Sequence, residues 1–100
     1  MKIETINKII LNNNNELILR LDSNGEPMYQ YVYREAVGVY WDEKQKGFKS
    51  TELKEWTVSD WYFHIKDIVR SSLNIDFKLN DKTKWENIPE NEQTKIKNAL

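Results

Sequence analysis

Residues 28–41 read MYQYVYREAVGVYW, and their pattern determines the predicted architecture. They open a block, from Tyr29 to Phe63, that holds ten of the twelve aromatic residues in the chain. Aromatic side chains supply much of the burial energy of a small core and also dominate binding surfaces. The block therefore locates the centre of the molecule.

Residues 28–41 predict one long strand, bent or interrupted by a bulge. Tyr29, Tyr31 and Tyr33 alternate with other residues, so an unbroken strand places their three rings on one face. The same register puts Trp41 on that face. Because this face is the larger and more apolar of the two, we predict that it lies on the core side, under the helices.

The flanking segments extend this strand into a sheet. Residues 3–11 and 17–21 predict two strands, the second with leucines at alternate positions on one face. Residues 23–27 contain Asn-Gly, which suits a hairpin turn. Residues 48–53 predict a further strand after a polar loop. The first half of the chain, about residues 3–53, thus predicts an antiparallel meander.

The second half changes to a helical period. Residues 59–73 predict an amphipathic helix, and Trp56 precedes it as a staple that fixes the entry of the chain. A short edge strand is predicted at 75–79 and a C-terminal helix at 89–99. The fold prediction is a single α+β domain, residues 1–100, with an antiparallel four- to five-stranded β-meander and two helices packed on one face.

Composition excludes several classes of function. Fifteen basic and sixteen acidic residues give a net charge of −1, which argues against binding a nucleic-acid backbone. The absence of cysteine excludes disulfides and thiolate metal sites and fits a reducing cytoplasm. No apolar run could cross a membrane and no secretory signal is visible, so we expect a soluble cytoplasmic protein. The bias toward Asn, Lys and Ile suggests a bacterial source.

His64 is the single histidine. A catalytic histidine needs a nucleophile or an orienting acid, and a metal-binding histidine needs further ligands. Neither pattern surrounds it, so we interpret His64 as a half-buried structural residue. No catalytic residue, metal ligand or cofactor is predicted, and the chain is not expected to be an enzyme.

Two helices can cover only one side of the predicted sheet, so the other side is expected to be open. That side carries Ile18 and Val32 together with polar and aromatic residues, a mixture common at protein interfaces. On the helix, Phe63 points away from the apolar stripe and is either covered by the C-terminal segment or exposed as a contact. The predicted binding residues are Arg20, Gln30, Arg34, Tyr40 and Phe63.

An alternative pocket is predicted on the tyrosine-bearing face. Glu35 interrupts that face, and a buried carboxylate needs a partner or is held protonated. Glu35 is therefore either a tuned acid or base, or it lies at the rim of the sheet or is turned to solvent by a bulge. The predicted pocket residues are Tyr31, Tyr33, Glu35 and Trp41.

These features favour a small non-catalytic protein-binding module of the inhibitor, toxin-neutralising or adaptor type, by analogy of fold alone. The expected partner is another protein or a second copy of the chain, met by the exposed sheet face. The alternative is a small-ligand domain with an aromatic-lined pocket. Single-stranded nucleic acid on the sheet is a further alternative, which the near-zero net charge disfavours.

Overall fold

The computed structural model describes residues 1–99 of the chain. Within them the fold is α+β, as predicted, with six strands, two α-helices and one 3₁₀ helix. The strands are β1 (Lys2–Leu11), β2 (Glu16–Leu21), β3 (Val39–Asp42), β4 (Gly47–Glu52), β5 (Ile75–Lys78) and β6 (Lys84–Glu86). The helices are the 3₁₀ helix (Pro27–Arg34), α1 (Val58–Leu73) and α2 (Glu90–Lys97). Between residues 1 and 99, no helix combines the length and the apolar character that crossing a bilayer requires.

The strands form one curled, mixed sheet that resembles half a barrel. Its order is β3-β4-β2-β1-β5, and β6 follows β5 along the same edge of β1. The first four strands pair antiparallel, whereas β5 and β6 both run parallel to β1. A parallel neighbour needs a crossover connection, and α1 supplies it between β4 and β5. The predicted antiparallel meander is therefore confirmed only in part, because the sheet as a whole is mixed.

Residues 27–34 form the 3₁₀ helix, so the prediction of one long strand over residues 28–41 is also wrong. A 3₁₀ helix has three residues per turn, which places Tyr29 and Val32 on the same buried side. Pro27 occupies its first turn, where the missing N–H is not needed. Only residues 39–42 of the expected strand join the sheet, as β3.

A single hydrophobic core lies against one face of the sheet. Leu17, Leu19 and Leu21 of β2 point into it, as their alternation predicts. Ile65 and Val69 of α1 pack on them from the helical side. The 3₁₀ helix and α2 also bury residues in this core, so three helices contribute to it instead of the two predicted.

The opposite face of the sheet is covered by charged side chains. Ile10 and Ile18 are paired across β1 and β2 and are buried, although they lie outside the core cluster. Around them, Lys8 pairs with Glu86 at 2.8 Å, and Lys49 lies 3.8 Å from a carboxylate oxygen of Asp42. Long basic side chains can shield apolar surface with their aliphatic stems, so this face is not an open apolar surface.

Candidate functional site

The five predicted binding residues lie in three different places. Arg20 and Tyr40 are on the charged face of the sheet. Gln30 and Arg34 lie on the 3₁₀ helix, so their predicted position on the sheet is wrong. Phe63 is half-buried on α1, against the core. The structure thus does not bring these residues together on one surface.

Val32, predicted on the open face beside them, is fully buried in the core. Ile18 does lie on the predicted face, but it is only 3% exposed. The apolar part of the predicted docking surface is therefore inaccessible.

The four residues of the alternative pocket do not converge either. Tyr31 and Tyr33 are exposed instead of buried, and the Arg34 guanidinium carbon lies 4.5 Å from the centroid of the Tyr31 ring. Glu35 is exposed as well, beyond the end of the 3₁₀ helix. Trp41 is half-buried and packs its ring against core aromatics instead. The tyrosines are exposed because the 3₁₀ period replaces the strand period.

A different set of residues forms a concavity that contains two tryptophans and the histidine, which we call the aromatic groove. Its volume is about 650 Å³. It lies between the loop before β3, the end of β4, the connection from β4 to α1, and the first two turns of α1. The lining residues are Val37, Thr51, Glu52, Lys54, Glu55, Trp56, Trp61 and His64.

Gly38 lies beside the groove, against Trp61 and Thr51. Its carbonyl oxygen accepts a hydrogen bond from the N–H of Thr51, and its φ of +94° lies in a region that L side chains rarely adopt. A Cβ at this position would lie 3.0 Å from Cη2 of Trp61. Glycine therefore lets the backbone approach the Trp61 ring. Val37, the preceding residue, is 95% exposed.

The connection from β4 to α1 is fixed at both ends. At one end, the backbone N–H of Leu53 donates to the Asn15 carbonyl oxygen at 2.7 Å. The side-chain amide of Asn15 donates to the Leu53 carbonyl oxygen at 2.6 Å. At the other end, Thr57 and Asp60 form a capping box that begins α1. Trp56 projects from this short, tethered segment and is 46% exposed.

Three rings pack edge to face within the groove. The centroids of Trp56 and Trp61 are 5.1 Å apart, and His64 lies 5.1 Å from Trp56 and 5.6 Å from Trp61. Trp61 and His64 meet because residues three apart on a helix are neighbours. Among residues 1–99, no hydrogen bond joins the His64 ring to an acid that could orient it. The rings therefore offer a stacking surface and not an acid–base pair.

The groove also has a charge pattern. Glu52 and Glu55 line it, opposed by Lys54 alone among its lining residues. Indole faces attract cations, and tryptophan does so most strongly. The arrangement can hold a flat ring or a positively charged side chain.

Sequence reasoning missed a buried carboxylate, Glu4, which is 3% exposed. Its oxygens accept hydrogen bonds from the Tyr29 hydroxyl at 2.6 Å and the Ser23 hydroxyl at 2.7 Å. Burial, followed by the hydrogen bond to Glu4, raises the pKa of Tyr29. Because Glu4 is enclosed and its oxygens are bonded, we interpret the cluster as a structural link between β1 and the 3₁₀ helix. Alternation along β1 places Glu4 and Ile6 on the same side, which is the available signal.

No group of three or more His, Asp or Glu side chains within residues 1–99 is arranged to hold a metal ion.

Comparisons with known proteins give a distant structural likeness and no family. No protein-family model matches the chain, and no curated protein matches it. Among solved structures, it is similar to the integron cassette protein Hfx_Cass5 from the mobile metagenome of the North West Arm sewage outfall. The identity is 26%, over 96% of this chain and 93% of that one, with a TM-score of 0.45. Because that TM-score is too low to establish a shared fold, the likeness assigns this chain no function.

Proposed function

We propose that the protein is a non-catalytic binding module whose aromatic groove receives a basic side chain of a partner protein. The observation that carries the proposal is the exposure of Val37 and Trp56, two large apolar side chains that line the same groove. Exposed apolar surface in one place marks interaction sites more often than scattered single residues do. Tryptophan is also enriched among the residues that dominate binding energy.

The charge of the groove favours a basic partner. Glu52 and Glu55 outnumber Lys54 among the lining residues, so an arginine or lysine side chain would meet opposite charge at the rim. Its cationic group could then lie over the Trp56 ring, an interaction worth about 0.5–2 kcal/mol depending on desolvation. An acidic segment would meet repulsion instead.

The groove is favoured over the sheet face that the sequence suggested. On that face, Lys49 is placed between Glu16 and Asp42, and Lys8 is paired with Glu86. A partner docking there would have to displace these ion pairs and still find little apolar surface. A partner that contacts Trp56 in the groove would not have to displace these ion pairs.

The test is an NMR titration that follows the indole N–H signals of Trp56 and Trp61. The probes are N-acetyl-arginine amide and its neutral isostere N-acetyl-citrulline amide, which differ mainly in charge. We expect saturable shifts at both indoles with the arginine probe and markedly weaker ones with citrulline. Trp56→Ala should abolish the response, whereas Tyr40→Ala, which removes an exposed ring from the sheet face, should leave it unchanged. Equal shifts with the two probes, or none at either indole, would contradict the proposal.

The second candidate function is small-ligand binding in the same groove. A volume of about 650 Å³ lies within the usual range for small-molecule sites. A neutral flat ring stacked on Trp56 would satisfy this alternative without any basic group. Selective shifts with neutral aromatic fragments, and not with the arginine probe, would favour it.

A further inference from the structure

Three basic residues stand side by side across three neighbouring strands, a feature that the proposed function does not use. Lys8 of β1 is the register partner of both Lys84 of β6 and Arg20 of β2. Register partners point to the same face, so the three side chains form a cationic row on the charged side of the sheet. Like charges placed directly opposite one another destabilise a sheet. Such an arrangement therefore needs a compensating partner.

Part of the compensation comes from the protein itself. Glu86 pairs with Lys8 at 2.8 Å, and the Nη2 group of Arg20 donates to Oε1 of Gln45 at 2.5 Å. Gln45 is neutral, so it directs the guanidinium without cancelling its charge. Gly47, the register partner of Arg20 on β4, adds no side chain there.

The row borders a cleft of about 300 Å³ that is rich in hydrogen-bond donors. Four basic side chains and one carboxylate line it, an excess of three positive charges in a chain whose net charge is −1. The lining residues are Asn7, Lys8, Arg20, Asp22, Asn80, Lys82 and Lys84.

The loop that brings Lys82 to this cleft is tied to the sheet. Oδ1 of Asn80 accepts from the N–H of Lys82 at 2.9 Å, which closes a tight turn. The Thr83 hydroxyl accepts from the N–H of Asn80 and donates to the carbonyl oxygen of Ile6 at 2.8 Å. Thr83 is buried, so this anchor is protected from water. The cationic side of the cleft is thus held in place by β1.

Asn7 contributes a polar group at the irregular step in the pairing of β1 with β2. Its Nδ2 donates to the Leu21 carbonyl oxygen at 3.2 Å. Its Oδ1 is buried without a hydrogen-bond partner among residues 1–99. A buried acceptor of this kind is destabilising until a hydrogen donor reaches it. Asn7 thus lines the same cleft as the cationic row, with its Oδ1 enclosed by the protein.

We propose that this cleft binds a phosphate group, either as inorganic phosphate or as the phosphomonoester of a small metabolite. Lysine and arginine form charge-assisted hydrogen bonds with phosphate oxygens, and arginine can do so in bidentate fashion. The bound charge would relieve the repulsion along the cationic row.

The experiment is an NMR titration with inorganic phosphate and, separately, with ribose 5-phosphate, at ionic strength matched with sodium chloride. We expect saturable shifts confined to the backbone amides of residues 7–8, 20–22 and 80–84. Lys84→Met should weaken binding about tenfold, the expected loss of one charge-assisted contact. Lys44→Met removes the same charge from an exposed hairpin position and should leave the affinity unchanged. Tighter binding of ribose 5-phosphate would identify a phosphomonoester as the ligand, and tighter binding of inorganic phosphate would identify the free anion.

A melting-temperature measurement provides an independent readout. In dilute buffer without phosphate, Lys84→Met should melt at a higher temperature than the parent chain, because one like charge leaves the row. Phosphate should raise the melting temperature of the parent more than that of the variant. If Lys84→Met does not fold, Lys82→Met replaces it. Shifts that sodium chloride reproduces, or an equal loss of affinity in Lys44→Met, would overturn the proposal.

Discussion

Glu92 of α2 caps the first turn of α1 through Ser59. Its Oε1 accepts hydrogen bonds from the Ser59 backbone N–H at 2.9 Å and from the Ser59 hydroxyl at 3.0 Å. The first N–H groups of a helix have no partner within the helix, and a carboxylate there also complements the helix dipole. Lys95 lies 3.2 Å from the other carboxylate oxygen. One buried acid thus links the two helices.

This contact predicts a dependence of stability on pH. Hydrogen bonds lower the pKa of Glu92 from 4.5 to about 2, the largest effect coming from the Ser59 backbone N–H and smaller ones from Lys95 and the Ser59 hydroxyl. Burial opposes this shift. A lowered folded-state pKa stabilises the fold above pH 4.5, and this contribution is lost as the pH falls toward 2. The shift corresponds to about 3 kcal/mol at neutral pH. We expect Glu92→Gln to lower the free energy of unfolding by about 2–3 kcal/mol at pH 7 and by progressively less toward pH 2.

Chemical denaturation at pH 7, 5 and 3 measures this effect. Glu90→Gln is the matched control, because Glu90 lies exposed in the same first turn of α2. It should change the free energy of unfolding by less than about 0.5 kcal/mol. An equal loss in the two variants, or a loss from Glu92→Gln that stays constant with pH, would refute the capping role.

The hydrogen bond from Tyr29 to Glu4 predicts a coupled pair. Tyr29→Phe removes the 2.6 Å donor and leaves a buried carboxylate oxygen with Lys2 at 3.8 Å. We expect the free energy of unfolding to fall by about 1–3 kcal/mol, the usual effect when a buried polar group loses its hydrogen-bond partner. Tyr31→Phe changes an exposed hydroxyl and should have almost no effect.

A double-mutant cycle tests the coupling directly. In a Glu4→Gln background the charge is already absent, so Tyr29→Phe should destabilise the protein less than it does in the parent chain. Urea denaturation of the four proteins gives the interaction energy. Strict additivity would mean that the two residues act independently, contrary to the structure.

The elements that could be predicted are those with strong local signals. The strand with alternating leucines at 17–21 corresponds to Glu16–Leu21, and the amphipathic helix at 59–73 corresponds to Val58–Leu73. Each reflects a single period repeated over several residues. The α+β class follows from those two periods, and the structure confirms it.

The predictions from the sequence fail where two local sequence patterns overlap, or where paired strands are far apart in the sequence. Tyr29, Tyr31 and Tyr33 suggest a period of two, yet the buried pair is Tyr29 and Val32, three residues apart. Pro27 is the signal that favoured a helix start. The parallel pairing of β5 with β1 joins residues more than seventy positions apart, and no local pattern specifies it.

The candidate site could not be predicted for the same reason, because its residues are far apart in the sequence. The groove combines Val37, Thr51, Trp56 and His64 from four separate segments. Trp56 was expected to act as a staple at the helix entry, and none of the residues that line the groove was predicted to bind a partner or ligand. A glycine at position 38 just before a strand was the one local indication of a close approach.

Gly38 should be essential to the shape of the groove. Gly38→Ala introduces a Cβ 3.0 Å from Trp61 at a φ of +94°. We expect a loss of about 1–3 kcal/mol in the free energy of unfolding, from backbone strain and from displacement of the indole. The tryptophan fluorescence spectrum should change as well. Val37→Ala, at an exposed neighbouring position, should alter neither quantity. A Gly38→Ala variant with parental stability and fluorescence would show that this close approach is dispensable.

Asn15 should control the connection that presents Trp56. It adopts a φ of +59° and exchanges two hydrogen bonds with Leu53. Asn15→Gly retains the backbone conformation and loses only the amide contact, so we expect a loss of about 1 kcal/mol. Asn15→Ala adds the strain of a left-handed alanine, about 1–2 kcal/mol more. Asn13→Ala, at an exposed position in the same asparagine run, is the control.

Denaturation and hydrogen exchange together separate these contributions. Stability should fall in the order parent, Asn15→Gly, Asn15→Ala, because only the last substitution conflicts with the positive φ. Exchange at the Leu53 amide should accelerate in both variants, since each weakens the contact that holds this residue. Identical losses from glycine and alanine would assign the whole effect to the side-chain amide. Unchanged exchange at Leu53 would mean that the connection is held by the capping box of α1 alone.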